Sequence, residues 1–219
     1  MYCAGHRILM AGARDSRRKP MIWIAEAHVV TARAIIILAI GWVAAAVAAR
    51  VGLPPIDRHH ELTPRPLETF GTLAICIPAS LHAVLLRDAL VWLGAVSPRS
   101  LKGFRLVWIG TTTMYACLPA LIWAATLDPR VPRVHAFFVW LLVYSCAIVS
   151  VTLIRHDLAA VLPLFVTLVF TTPRLVPFAH NLVYNDQLTD RLTACAVAAL
   201  ALSVLTYTAL GDRRANDVA

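Results

Sequence analysis

The sequence predicts an all-α, polytopic integral membrane protein: a bundle of six transmembrane helices with both termini in the cytoplasm. Three observations predict it. Of the 219 residues, 59% are hydrophobic and only 15% charged, whereas soluble domains run nearer half and a quarter, so the apolar excess must face lipid. Arg33, Arg50, Arg87, Arg105, Arg133, Arg155 and Arg191 fence off long stretches almost free of charge. A helix rising about 1.5 Å per residue needs roughly 20 such residues to cross a hydrocarbon core about 30 Å thick. The basic residues also divide unequally between the two sets of connections. Arg7, Arg14, Arg17, Arg18, Lys19, Arg33, Arg87, Arg99, Lys102, Arg105, Arg155, Arg213 and Arg214 make thirteen on one side, and Arg50, Arg58, Arg65, Arg130, Arg133, Arg174 and Arg191 make seven on the other. An excess of Arg and Lys marks the cytoplasmic side.

Residues 1–20 form a basic, disordered cytoplasmic tail without the apolar run and small-residue cleavage site of a signal peptide, and Met21 is a second candidate start. Residues 21–211 make one six-helix domain, and 212–219 a short cytoplasmic tail. Met21–Arg33 mixes apolar positions with Trp23, Glu26, His28 and Arg33; it suits a helix lying in the cytoplasmic interface, and equally suits an extension of the first span. The spans are Thr31–Ala49, Thr69–Leu86, Leu106–Leu127, Val134–Ile154, Leu158–Thr172 and Leu192–Leu210. The fifth is short and ends at Pro173-Arg174. Pro78, Pro119 and Pro163 fall inside spans two, three and five, where each removes a backbone donor and bends its helix.

Eighteen Arg, two Lys and an abundance of Ala, Val and Leu have the bias of a high-GC bacterial coding sequence, which points to a bacterial inner membrane. The net charge of +8 is scattered through short loops rather than gathered with aromatics on one face, so anionic lipid headgroups are a better partner than nucleic acid. Cys76, Cys117, Cys146 and Cys195 lie within spans and Cys3 in the tail. Their spacing fits neither a disulfide framework nor a zinc site, and they read as small buried hydrophobes.

The densest polar cluster is Asp57, His59, His60 and Glu61 in the first external loop. His59, His60 and Glu61 are of metal-ligand type, but consecutive residues do not share the helical face that two ligands four apart would share. With Pro54, Pro55, Pro64 and Pro66 around them, a solvated loop accounts for them. His82 is ionisable at membrane depth, about 6 Å of rise from the cytoplasmic boundary, where snorkelling or an interhelical hydrogen bond serves as well as a function. Asp88 and Asp157 sit beside Arg87 and Arg155 as interfacial ion pairs. His180, Asn181, Tyr184, Asn185 and Asp186 make the last external loop polar. Ser80, Thr111, Thr112, Thr113, Tyr115, Tyr144, Ser145, Ser150 and Thr152 either line a polar path or bond helix to helix.

The longest basic connection, Arg87–Arg105, carries Arg99, Lys102 and Arg105 at every third residue, along one side of a short helix that begins after Ser97-Pro98. That helix suits a soluble docking partner or an anionic lipid surface. The chain contains no GxxxxGK[ST], HExxH or GxSxG, so it is not expected to be an enzyme, and neither a cofactor nor a metal is expected.

This order of features resembles the membrane (permease) subunits of ATP-binding-cassette exporters of the second type, in layout rather than by a diagnostic motif. Such permeases have six spans, cytoplasmic termini, an elbow helix before the first span and a coupling segment between spans two and three. The resemblance implies that Met21–Arg33 is the elbow and that a separate ATP-binding subunit docks near residues 87–105, with Arg87, Asp88, Arg99, Lys102 and Arg105 as docking residues. It further implies a homo- or heterodimer with the substrate path between two permease chains. The chain departs from the family in its short length and in a last external loop without evident re-entrant helices. The alternative is a non-transporting accessory, immunity or scaffold subunit.

Overall fold

The structure, a computed structural model, describes residues 32–53, 67–86, 102–154, 158–172 and 175–210. The interfacial segment up to Thr31, the cluster Asp57–Glu61, both tails, Arg87, Asp88, Arg99, Arg155, Asp157 and Arg174 lie outside the described residues. Apart from one antiparallel bridge between Gly52 and Thr69, the described elements are helical: α1 Ala32–Ala48, α2 Phe70–Ala74, α3 Cys76–Val84, α4 Lys102–Thr126, α5 Arg133–Val149, α6 Val161–Thr171 and α7 Thr189–Leu210. Three helical runs, Lys102–Thr126, Arg133–Ile154 and Asp186–Leu210, are long and apolar enough to cross a membrane. Arg33–Ala48, Phe70–Val84 and Val161–Thr171 are apolar but shorter.

Each apolar segment runs opposite to the one before it. At one end the chain is clipped across residues 54–66, with the Leu53 N–H donating to the Glu68 carbonyl at 2.7 Å and the Phe70 N–H to the Val51 carbonyl at 2.9 Å. At the other end the Trp108 indole donates to the Leu85 carbonyl at 3.2 Å and the Tyr207 hydroxyl to the Leu86 carbonyl at 2.8 Å. The starts of α5 and α7 meet at the first end, where His135 lies 3.0 Å from Thr189 Oγ1. The fully buried α5 residues Val143, Tyr144, Ala147 and Ile148 form the centre of the core, and α5 packs on α3, α4, α6 and α7.

The helices bury small and aromatic residues and present branched aliphatics outward. On α4, Trp108, Thr112, Ala116, Ala120 and Ala124 recur every fourth residue and are buried, while Leu106, Val107, Met114, Leu118 and Ile122 are exposed. With no hydrophobic contrast between lipid and neighbouring helix, close approach decides which face turns inward, and small residues permit it. The seam of α1 is Gly41 and Ala45, continued by Ala49 just past its end. A Cβ on Gly41 would stand 3.2 Å from Leu81 Cδ1, which would have to give way, whereas one on Gly71 would fall 2.5 Å from Ala49 Cβ and 2.6 Å from its Cα, so at Gly71 the backbones meet too closely for any side chain.

Two prolines act differently from expectation. Pro78 and Pro163 stand in the first turns of α3 and α6, where a missing N–H costs no intrahelical bond. Pro78 therefore restarts the helix after Ile75, and the expected second span is two helices rather than one bent helix. Pro163 starts α6, a helix of 11 residues, about 16 Å long and far short of a full crossing by itself. Only Pro119 lies in a helix interior. The fourth segment ends in a π-helical turn, Ser150–Ile154, whose Ser150 Oγ accepts the Leu162 N–H at 3.2 Å. This bond satisfies one of the orphan donors at the start of α6.

Candidate functional site

His82 stands on α3, wholly buried. Its Nδ1 lies 2.8 Å from the Pro78 carbonyl one turn earlier. A carbonyl only accepts, so Nδ1 carries the hydrogen, and the Nε2 of the neutral ring is a bare acceptor. That Nε2 is buried without a hydrogen-bond partner, as are the indole nitrogens of Trp42, Trp123 and Trp140. Buried polar atoms are nearly always paired, which sets these four nitrogens apart from the rest of the core.

These orphans belong to one aromatic plug. Trp42 stands edge-on to His82, with ring centres 6.0 Å apart, and touches Trp123 at 6.5 Å and Trp140 at 6.1 Å. Tyr115 and Tyr144 approach His82 at 5.9 and 6.5 Å, and Trp140 stacks on Tyr144 at 5.2 Å. The plug thus draws one ring or more from each of α1, α3, α4 and α5. Tyr115 is roughly 20 Å of rise from Lys102 and roughly 17 Å from Thr126, so its ring stands at half height, while Trp123, one turn before Thr126, carries the plug up to the vestibule.

His82 lies two residues before the end of α3, and the chain after it turns at Leu85 and Leu86, the buried Leu86 carbonyl accepting from Tyr207. The one hydrogen bond of its ring stays within α3 rather than reaching another helix.

Above the plug, at the end where residues 53 and 67 approach each other, opens a vestibule of about 560 Å³. Arg50, Asp128 and Arg130 stand exposed around it, while Glu68, Thr72 and Trp123 are buried in its wall. Trp123 is both the floor of the vestibule and a neighbour of Trp42, so the cavity ends on the plug. The vestibule carries, among the described residues, the guanidinium groups of Arg50 and Arg130 and the carboxyl groups of Glu68 and Asp128. Among the described residues no three His, Cys, Asp or Glu side chains are grouped to hold a metal.

A second concavity of about 250 Å³ lies between α1 and α4 towards the opposite end, and Tyr115, the plug residue, closes it. Lys102 and Arg105 begin α4 at that end, near Leu85 and Leu86. Of the five expected docking residues, they alone are among those described.

The polar residues within the helices do not form a continuous path. Thr111, Thr112, Ser145 and Thr152 donate to carbonyls three or four residues back in their own helices. Between helices the bonds are isolated: Thr113 to Tyr144 at 3.4 Å and Ser80 to the Ala159 carbonyl at 3.5 Å. Nor is the last connection a solvated loop. Asn181 is fully buried; its Nδ2 donates to the Phe170 carbonyl at 2.8 Å and its Oδ1 accepts from the Val183 and Tyr184 N–H groups. Burial pushes the Tyr184 phenol up to about 12, opposed by its contact with Thr171 at 2.9 Å. Of the cysteines, Cys76 is buried 3.3 Å from Thr167 Oγ1, whereas Cys195 is exposed rather than buried.

Sequence reasoning missed Trp42, Trp123, Trp140, Glu68 and His135. A signal existed for two of the tryptophans: Trp42 and Trp140 lie well inside spans, whereas membrane tryptophans concentrate at the interfaces. His135 had the signal of an ionisable residue within an apolar run, and its role is structural: Nε2 donates to the Val183 carbonyl at 3.1 Å and fixes the last connection to α5. No family model, curated protein or solved structure matches the chain.

Proposed function

We propose that the chain is a permease-like membrane subunit of an ATP-driven exporter in a bacterial cell membrane, crossing six times with both ends in the cytoplasm. The ATPase is a separate chain docking near residues 87–105. The observation that carries the reading is a polar vestibule whose wall includes Trp123, one ring of a plug that reaches down to half height in the bundle. An ionisable ring buried among the helices is a functional candidate by default. The vestibule lies at the end of the bundle with fewer basic loop residues, which makes it the outward chamber. The path then runs within one chain, and docking at Arg99, Lys102 and Arg105 moves α4, the helix that carries Tyr115 and Trp123. The short α6 completes its crossing with the flanking turns.

Two experiments test this. Recovery from native membranes in mild detergent is expected to bring down an ATP-binding subunit, and replacing Arg99, Lys102 and Arg105 by Glu is expected to release it. Recovery of the chain alone contradicts the ATP-driven part. In vesicles holding the purified protein, Trp42→Ala/Trp123→Ala is expected to raise leakage of an entrapped dye several-fold over the parent. Equal tightness favours the alternative, a non-transporting scaffold, for which the observation in hand is the dense stacking of Trp140 on Tyr144.

A further inference from the structure

The groove between α1 and α4 is lined by Ala34, Ile35, Leu38, Trp108, Thr111 and Tyr115. Leu38 and Trp108 are buried at its base, and Ile35, Thr111 and Tyr115 are exposed along its edges, so it opens on the outer surface of the bundle. Its polar atoms are occupied from within: the Thr111 hydroxyl donates to the Val107 carbonyl at 2.9 Å and the Trp108 indole to the Leu85 carbonyl at 3.2 Å. What remains for a guest is hydrocarbon. Among the described residues, the charged groups next to the groove stand at one end. Arg33, exposed, precedes Ala34 on α1, and Arg105 lies one turn before Trp108 on the groove face of α4.

An apolar groove on the outer surface of the bundle, with an arginine one residue before its lining on α1 and another one turn before it on α4, is complementary to a molecule with an apolar tail and an anionic head. We propose that this groove is a binding site for an anionic phospholipid, one acyl chain lying against Leu38 and Trp108 and the phosphate between Arg33 and Arg105. Guanidinium pairs phosphate in a planar, bidentate fashion, and two of them favour a headgroup of net negative charge over one whose own cation offsets its phosphate. The site follows from the groove and its two arginines, and it stands whether or not the bundle transports anything.

Bromine on a lipid chain quenches a tryptophan that it touches, which makes Trp108 its own reporter. The full chain is placed in phosphatidylcholine vesicles containing a small, equal fraction of either phosphatidylglycerol or phosphatidylcholine with brominated chains. The component lost in Trp108→Phe is expected to be quenched far more by the brominated phosphatidylglycerol. Each arginine near the headgroup contributes roughly a fivefold preference, so Arg33→Gln/Arg105→Gln is expected to equalise the two lipids. Thr111→Phe, which fills the groove and leaves Trp108 in place, is expected to lower quenching by both. Equal quenching by the two lipids in the parent, or a preference that survives either the double variant or Thr111→Phe, overturns the proposal.

Discussion

The vestibule and the groove share α1 and α4 yet differ in nearly every property. The vestibule gathers Arg50, Glu68, Asp128 and Arg130 where helices end, whereas the groove is formed by the sides of helices and is apolar to its base. Helix ends leave backbone groups that need water or side-chain partners, so polar residues collect there. Helix sides in lipid have no such need, and only size and shape distinguish one face from another. Between the two lies the His82 plug, buried like the groove's base but carrying polar atoms like the vestibule. That mixture sets it apart.

The comparison can be broken hardest at the vestibule end, where backbone meets backbone. Gly71→Val is expected to abolish folding, costing more than about 3 kcal/mol, because the new side chain would start 2.5 Å from Ala49. Gly103→Val on α4, where an added Cβ meets nothing within 4 Å, is expected to purify normally. Monodispersity in detergent checks both. Next comes the plug. Trp140→Ala is expected to cost about 3 to 5 kcal/mol, while Leu118→Ala, on a side chain 63% exposed to the surroundings of the bundle, is expected to cost under about 1 kcal/mol. Denaturant midpoints in one detergent give the difference directly.

A smaller effect sharpens the account of the last connection. Asn181→Ala removes three hydrogen bonds around a fully buried amide and is expected to cost about 1 to 3 kcal/mol. His180→Ala, one residue earlier and exposed, is expected to be silent. If the two variants behaved alike, the buried hydrogen bonds of Asn181 would not be what holds this connection.

How much of this was legible follows from what sequence patterns record. Run length marked the apolar segments: Val134–Ile154 is helix almost to the residue, and Leu106–Leu127 falls short of the observed Lys102–Thr126 by one turn at its start. The break at Ile75 was not legible from Pro78 alone, since a membrane helix can carry proline in its interior, as α4 does with Pro119. Which faces turn inward was hidden because the spans are apolar all round. Small residues four apart, Gly41, Ala45 and Ala49 along and just past α1 and Ala116, Ala120 and Ala124 on α4, held that information in size rather than polarity. His82 was seen as an ionisable residue in a span, but not its neighbours Trp42, Tyr115 and Tyr144. The turn that follows it at Leu85 and Leu86 is held by Trp108 and Tyr207 from distant helices. Such long-range ties leave no local trace.

The central claim is that the vestibule faces outward, with the plug between it and the end that carries Lys102. Single cysteines at Arg130 and Lys102, in a background with the native cysteines replaced, can be probed in intact cells with a membrane-impermeant maleimide. The account predicts that Arg130→Cys reacts at once and Lys102→Cys only after the membrane is permeabilised. Equal reaction of the two in intact cells, or the reverse order, contradicts it.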